Sequence, residues 1–212
     1  MISFLLSSFI PNNTENLIFK KIINDSIIVI NASGSSKQIV NKSKNYIMTK
    51  PENTVYHDDN MYDWCSECND DPNKHPWISF YLKSNRFELS GYYLRTGGCS
   101  PGTCYLYVEK KSTNCFLFSW SLQVSEDNKT WNEIHNVSKS YEVKKCSDKI
   151  FNFDKIYYAK YIRLIQTEPF PGEPGCMAIN SIDFFGRVSP DRDNDFESEQ
   201  EDDISIIGRI SK

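Results

Sequence analysis

From residue 27 onward the chain alternates apolar and polar positions in short runs separated by turn formers. The clearest run is Ser119-Trp120-Ser121-Leu122-Gln123-Val124-Ser125. Trp120, Leu122 and Val124 share one face of an extended strand, and the small or polar residues share the other. In Tyr161-Ile162-Arg163-Leu164-Ile165 the same period offers Ile162 and Leu164 to a core and Arg163 to the outside. Strands are expected at 27–32, 77–82, 88–95, 119–125, 131–135, 161–166 and 178–185. Residues 125–131 read as a tight hairpin, because Asp127 and Asn128 tolerate positive φ better than most residues. Trp120 and Trp131 are both expected in the core. No helical stripe of similar length appears, so the pattern is all-β with one large core.

The chain has 212 residues, enough for one domain with tails. Its 13 Phe, 12 Tyr and 4 Trp supply large side chains for a core. Residues 187–212 hold 8 acids and 4 bases, so the whole net charge of −4 lies there, and residues 1–186 carry 20 of each sign. A balanced body lacks the basic footprint of a nucleic-acid binder. No apolar run approaches the roughly 18–20 residues of a transmembrane helix. Residues 1–26 read as an N-terminal extension, 27–188 as the β domain and 189–212 as an acidic tail too polar to offset the entropy of ordering. The start is apolar at Phe4, Leu5, Leu6 and Phe9, but its first base is Lys20. It therefore lacks the basic start and small-residue cleavage site of a secretion signal.

Five stretches, in order, carry a family resemblance. They are Val29-Ile30-Asn31-Ala32-Ser33-Gly34-Ser35-Ser36, His75-Pro76-Trp77-Ile78-Ser79-Phe80-Tyr81-Leu82, the hairpin from Ser119-Trp120 to Trp131, Ala159-Lys160-Tyr161-Ile162-Arg163-Leu164, and Ala178-Ile179-Asn180-Ser181-Ile182-Asp183-Phe184-Phe185-Gly186. Together they resemble the coagulation factor 5/8 type C domain, also called the discoidin domain, and most of all its divergent intracellular versions in protozoa. One departure is Tyr81, which stands where that family usually has Asp. The resemblance implies a galactose-binding-like jelly-roll β-sandwich of about eight antiparallel strands, with long loops at one end. It implies ligand binding at those loops and no enzymatic activity. Glycans, lipid headgroups and proteins are all ligands of the family, and fold alone does not choose among them.

The resemblance puts four loops at the binding end: 34–48, 56–76, 97–117 and 168–176. The second loop supplies His57, Asp59, Tyr62 and Trp64 as candidate ligand contacts, and Arg95 stands at the end of the strand entering the third. Tyr62 and Trp64 offer aromatic faces for a sugar or a lipid surface. Galactose-binding relatives use a His and an Arg on sugar hydroxyls, a part for which the resemblance offers His57 and Arg95. The oxygen-rich His57-Asp58-Asp59 and Asp70-Asp71 could hold calcium. Six of the seven cysteines fall in these loops, and Cys146 lies outside them. Three states remain open: reduced thiols, which the odd count favours; disulfides such as Cys99–Cys104; or zinc on Cys65 and Cys68 completed by Cys99, Cys104 or His57. Beyond a possible zinc or calcium ion, no cofactor is expected.

Catalytic signatures are missing: there is no Gly-x-Ser-x-Gly, His-Glu-x-x-His or phosphate-binding glycine loop. In the tail, Ile204, Ile206 and Ile207 follow Glu201-Asp202-Asp203 and resemble a SUMO-interacting motif. The first expectation is therefore a cytoplasmic, non-enzymatic module with a protein partner. A secreted or surface lectin-like binder of glycan or lipid is the alternative, to which six Asn-x-Ser/Thr sites at Asn12, Asn24, Asn31, Asn41, Asn128 and Asn136 are relevant. An accessory domain of an enzyme is the third.

Overall fold

Alternating side chains can bury one face of a strand only if a second sheet covers it. The computed structural model describes residues 16–40, 45–56, 63–69, 71, 73–99, 103–106 and 111–191. In chain order the strands are β1 (Ile28–Ala32), β2 (Lys37–Val40), β3 (Asn45–Met48), β4 (Trp64–Cys65), β5 (Trp77–Leu82), β6 (Asn85–Thr96) and β7 (Thr103–Leu106). They continue as β8 (Lys111–Thr113), β9 (Leu117–Ser125), β10 (Asn132–Val137), β11 (Asp148–Ala159), β12 (Tyr161–Pro169) and β13 (Ala178–Pro190). A five-stranded sheet, β1-β5-β12-β9-β10, packs on a four-stranded sheet, β11-β6-β13-β4. All the pairings are antiparallel, and the architecture is a jelly-roll β-sandwich. A small third sheet, β3-β2-β7-β8, forms within segments that the sequence reads as loops.

All seven expected strands are present, with β5 matching to the residue. Ile162 and Leu164 are fully buried and Arg163 faces out, as the alternation requires. Asn128 takes the positive φ of the hairpin, and the Asp127 carboxylate caps the turn by accepting the Lys129 and Thr130 N–H groups at 2.8 and 2.7 Å. Trp131 departs from expectation. It lies half-buried on the outside of the five-stranded sheet, over the Arg163 guanidinium at 4.1 Å, instead of in the core. β13 runs to Pro190, two residues into the segment read as disordered, and passes a bulge at Gly186. Only glycine fits that bulge, because a Cβ would stand 1.8 Å from the Glu88 carbonyl at a φ of +139°.

The core joins both sheets and reaches into residues 16–26. Helix α1 (Ile18–Ile22) places Phe19 against Phe80 and Phe184, with ring centroids 5.2 and 5.3 Å away. The helix starts on a tertiary cap: Asp183 accepts the Phe19 and Lys20 N–H groups at 2.8 and 3.0 Å. No helix among the described residues is long and apolar enough to cross a membrane.

A polar chain links the two sheets. Trp120 Nε1–H donates to the Tyr92 oxygen at 3.0 Å, and the Tyr92 hydroxyl lies 3.0 Å from His135 Nδ1. Buried Tyr92 then has one proton to donate, and neutral His135 is its acceptor. Burial holds His135 below the usual histidine range, against a weaker opposing pull from Glu133.

Two predictions follow from this core. Phe19→Ala empties a site lined by three other rings and should lower stability by about 3–5 kcal/mol in urea unfolding. The unfolded state protonates His135 first, so its contribution is complete above about pH 6.5 and declines as pH falls through that value. Stability measured from pH 7 to pH 5 should therefore fall, and His135→Gln should flatten that slope.

Candidate functional site

The registers bring one set of strand ends together. Ala32 pairs with Ile78, Trp77 with Ile165, Leu117 with Pro169, Arg95 with Asp148, and Thr96 with Ile179. The segments 33–36, 66–69, 73–76, 97–99, 114–116 and 170–177 therefore leave the sandwich at one end, as the resemblance implies. A further segment, 138–147, joins them and brings Cys146 there as well.

Covalent bonds fasten these loops. The disulfides are Cys65–Cys104, Cys99–Cys146 and Cys115–Cys176. This corrects three expectations. Six of the seven cysteines are oxidised, Cys99 bonds to Cys146 instead of Cys104, and the zinc set Cys65, Cys68, Cys99 and Cys104 has lost three of its thiolates. Cys68 is the cysteine outside the disulfides, and its sulfur lies within 4.8 Å of those of Cys115 and Cys176.

A buried carboxylate adds a polar fastening. Asp63 accepts hydrogen bonds from the Gly98 N–H at 2.6 Å, Asn180 Nδ2 at 2.9 Å and Gln38 Nε2 at 3.0 Å. Burial pushes its pKa up, and these three donors pull it back down.

Two of the five expected contact residues, Trp64 and Arg95, fall among the described residues. Trp64 is fully buried in the core, with Nε1–H donating to Ser35 Oγ at 2.9 Å, so its ring offers no face to a ligand. The two residues of β4 are both enclosed because the strand is covered on both sides. Arg95 lies at the end of β6, where Nε donates to Asp148 at 2.7 Å and Tyr93 donates to the same carboxylate. His57, Asp58, Asp59, Tyr62 and Asp70 lie outside the described residues, as do Ile204, Ile206 and Ile207. Asp71 accepts the N–H and Nδ2 of Asn73 at 3.0 and 3.1 Å, which closes a loop turn.

The geometry instead builds a cleft of about 530 Å³ beside β5 and β12. Trp77, Ile165 and Arg163 form its floor, and the loop with Glu67, Asn69, Asn73, Lys74 and His75 forms its wall. Ser33 sets the floor by donating its N–H to the Trp77 carbonyl at 2.9 Å and accepting the Trp77 N–H on Oγ at 3.0 Å. The wall is held by the Ser66 N–H on the Met177 carbonyl and the Asn69 N–H on the Gly175 carbonyl, at 2.9 and 3.0 Å. Trp77 is half-buried, and the side chains of Glu67, Lys74 and His75 make no hydrogen bond or ion pair among the described residues. An aromatic face beside uncommitted polar groups suits a ligand that is apolar on one face and hydroxylated at its edge. Sequence reading missed this role for Trp77, Lys74 and His75. Its one usable signal was Arg163, a charge facing out from a central strand.

No protein-family model matches the sequence, and no curated protein matches it. Solved structures share the fold. The family 32 carbohydrate-binding module of NanJ from C. perfringens, in complex with galactose, aligns over 81% of this chain and 98% of that one, with 12% identity and a TM-score of 0.51. A second family 32 module, CBM32-3 from a family 31 glycoside hydrolase of Clostridium perfringens, covers 83% and 98% at 13% identity and a TM-score of 0.51. At such identities the likeness is one of fold.

Alkylation of the native protein should label one cysteine, Cys68, and alkylation after reduction should label all seven. Peptide mapping should recover the three disulfides above. A second reactive thiol in the native protein would contradict this arrangement.

Proposed function

We propose that this protein is a non-enzymatic glycan-binding module that seats a sugar in the cleft over Trp77. The observation that carries the reading is the half-buried Trp77 ring beside the side chains of Glu67, Lys74 and His75, which make no hydrogen bond or ion pair among the described residues. Trp77 stacks on the apolar face of the sugar, and Asn69, Asn73 and His75 reach its hydroxyls. Two further facts support it: the fold is shared with carbohydrate-binding modules, and the NanJ module was solved with galactose. Among the described residues the cleft lining holds one carboxylate, Glu67, whereas glycoside hydrolysis ordinarily takes two across the scissile bond.

The same reading puts the protein in an oxidising compartment, where disulfides persist. Three disulfides support this, and so do the exposed acceptor residues Asn24, Asn31, Asn128 and Asn136. The cytoplasmic expectation rests on the missing secretion signal, the odd cysteine count and the intracellular versions that the chain resembles; of these, Cys68 accounts for the odd count.

A glycan array probed with the native protein tests the function. Binding should be detected, and Trp77→Ala should weaken it about tenfold, on the order of 1.4 kcal/mol, with an unchanged circular dichroism spectrum. Absence of glycan binding, or full binding by Trp77→Ala, would remove the proposal.

A further inference from the structure

We infer that the ligand is an acidic oligosaccharide that runs from the cleft along the outer face of the five-stranded sheet, an inference that rests on the glycan reading above. Trp77, Ser79 and Tyr81 alternate outward along β5, opposite Ile165, Arg163 and Tyr161 of β12. The face therefore carries three rows: Trp77 with Ile165, Ser79 with Arg163, and Tyr81 with Tyr161. Trp77, Arg163 and Ile165 also line the cleft, so cleft and face are continuous.

Length follows from the row spacing. Trp77 and Tyr81 stand four residues apart on an extended strand, about 13 Å. A single pyranose ring cannot touch both, and a chain of sugars can. Tyr81 and Tyr161 make a second aromatic platform, with ring centroids 5.3 Å apart and both rings half-buried.

Charge follows from Arg163, which sits between the two platforms. Its Nε and Nη2 donate to Gln123 Oε1 at 3.0 and 2.6 Å, and the Trp131 ring covers it at 4.1 Å. These contacts fix the guanidinium plane and use two of its five N–H groups. No carboxylate lies within ion-pair distance of Arg163 among the described residues. Glu133, two strands away in the same row, bonds to Ser121 and Asn136 instead. A half-buried, oriented guanidinium with neutral partners only is a site for a carboxylate, which its planar fork binds with two parallel hydrogen bonds. Lys74, in the cleft wall, adds a second cation; among the described lining residues Glu67 is the one acid, and Asp71, whose carboxylate Lys74 attracts, lies just beyond the lining. The ligand class is thus a carboxylated chain, of uronic or sialic acid type, whose acid group falls between the stacked sugars.

The test is an array of neutral and carboxylated glycans from single sugars to hexasaccharides, with titration calorimetry on the retained sugars. Binders should carry a carboxylate and be trisaccharides or longer. Tyr81→Ala and Tyr161→Ala should each lower the ratio of long-chain to single-sugar affinity about tenfold. Arg163→Lys, which keeps the charge and loses the fork, should reduce the preference for carboxylated over neutral chains. Melting temperatures would confirm that each variant is folded. If neutral glycans bind as well as carboxylated ones, or the tyrosine variants keep the ratio, while Trp77→Ala still weakens binding, this inference fails and the glycan reading stands. If no glycan binds at all, both fail.

Discussion

Asp63 is the constraint on which the loop end depends. One buried carboxylate gathers Gln38 of β2, Gly98 beyond β6 and Asn180 of β13 onto the chain entering β4. These segments are distant in sequence, and the buried amides of Gln38 and Asn180 offer donors that burial would otherwise leave unmade, at a cost of about 1–3 kcal/mol apiece. Around this hub the disulfides replace a hydrophobic core. Cys65, Cys104, Cys115 and Cys176 form their own buried cluster with Ala178, separate from the aromatic core between the sheets. Cross-links of this kind act chiefly by restricting the unfolded chain, by about 2–4 kcal/mol each.

That division of labour suits a binding surface. The aromatic core sets the strands, and the strands hold Trp77 and Arg163 in place. The fastened loops hold the residues that face them across the cleft. A surface ordered before its ligand arrives loses less entropy on binding. The fold is shared with carbohydrate-binding modules, and the residues that line the cleft are this chain's own.

Legibility in the sequence followed the local period. β5, β9 and β12 each bury one face against the core, so their alternation is visible and their limits were read closely. β11 was missed because apolar residues occupy both of its faces: Phe151 and Phe153 pack inward, while Ile150, Ile156 and Tyr158 are exposed. A bulge between Asn152 and Tyr157 breaks the period further. The small sheet was missed for another reason. Its strands are short, and β2 finds its partner β7 only across a long stretch of intervening chain. At the candidate site the sequence offered Trp64, in a loop, to a ligand and placed Trp77 in a strand; burial reverses this, because Trp64 lies beneath the loops and Trp77 lines the cleft.

By itself, the sequence determined the all-β class, most sandwich strands, the hairpin at Asn128 and the outward direction of Arg163. Each of these is set by steric and solvation preferences acting over a few neighbouring residues. Only the tertiary structure decided the cysteine partners, the Asp63 hub, the entry of Phe19 into the core and the cleft where Trp77 meets Lys74 and His75. Those depend on which distant segments the fold brings together, and no local pattern encodes that.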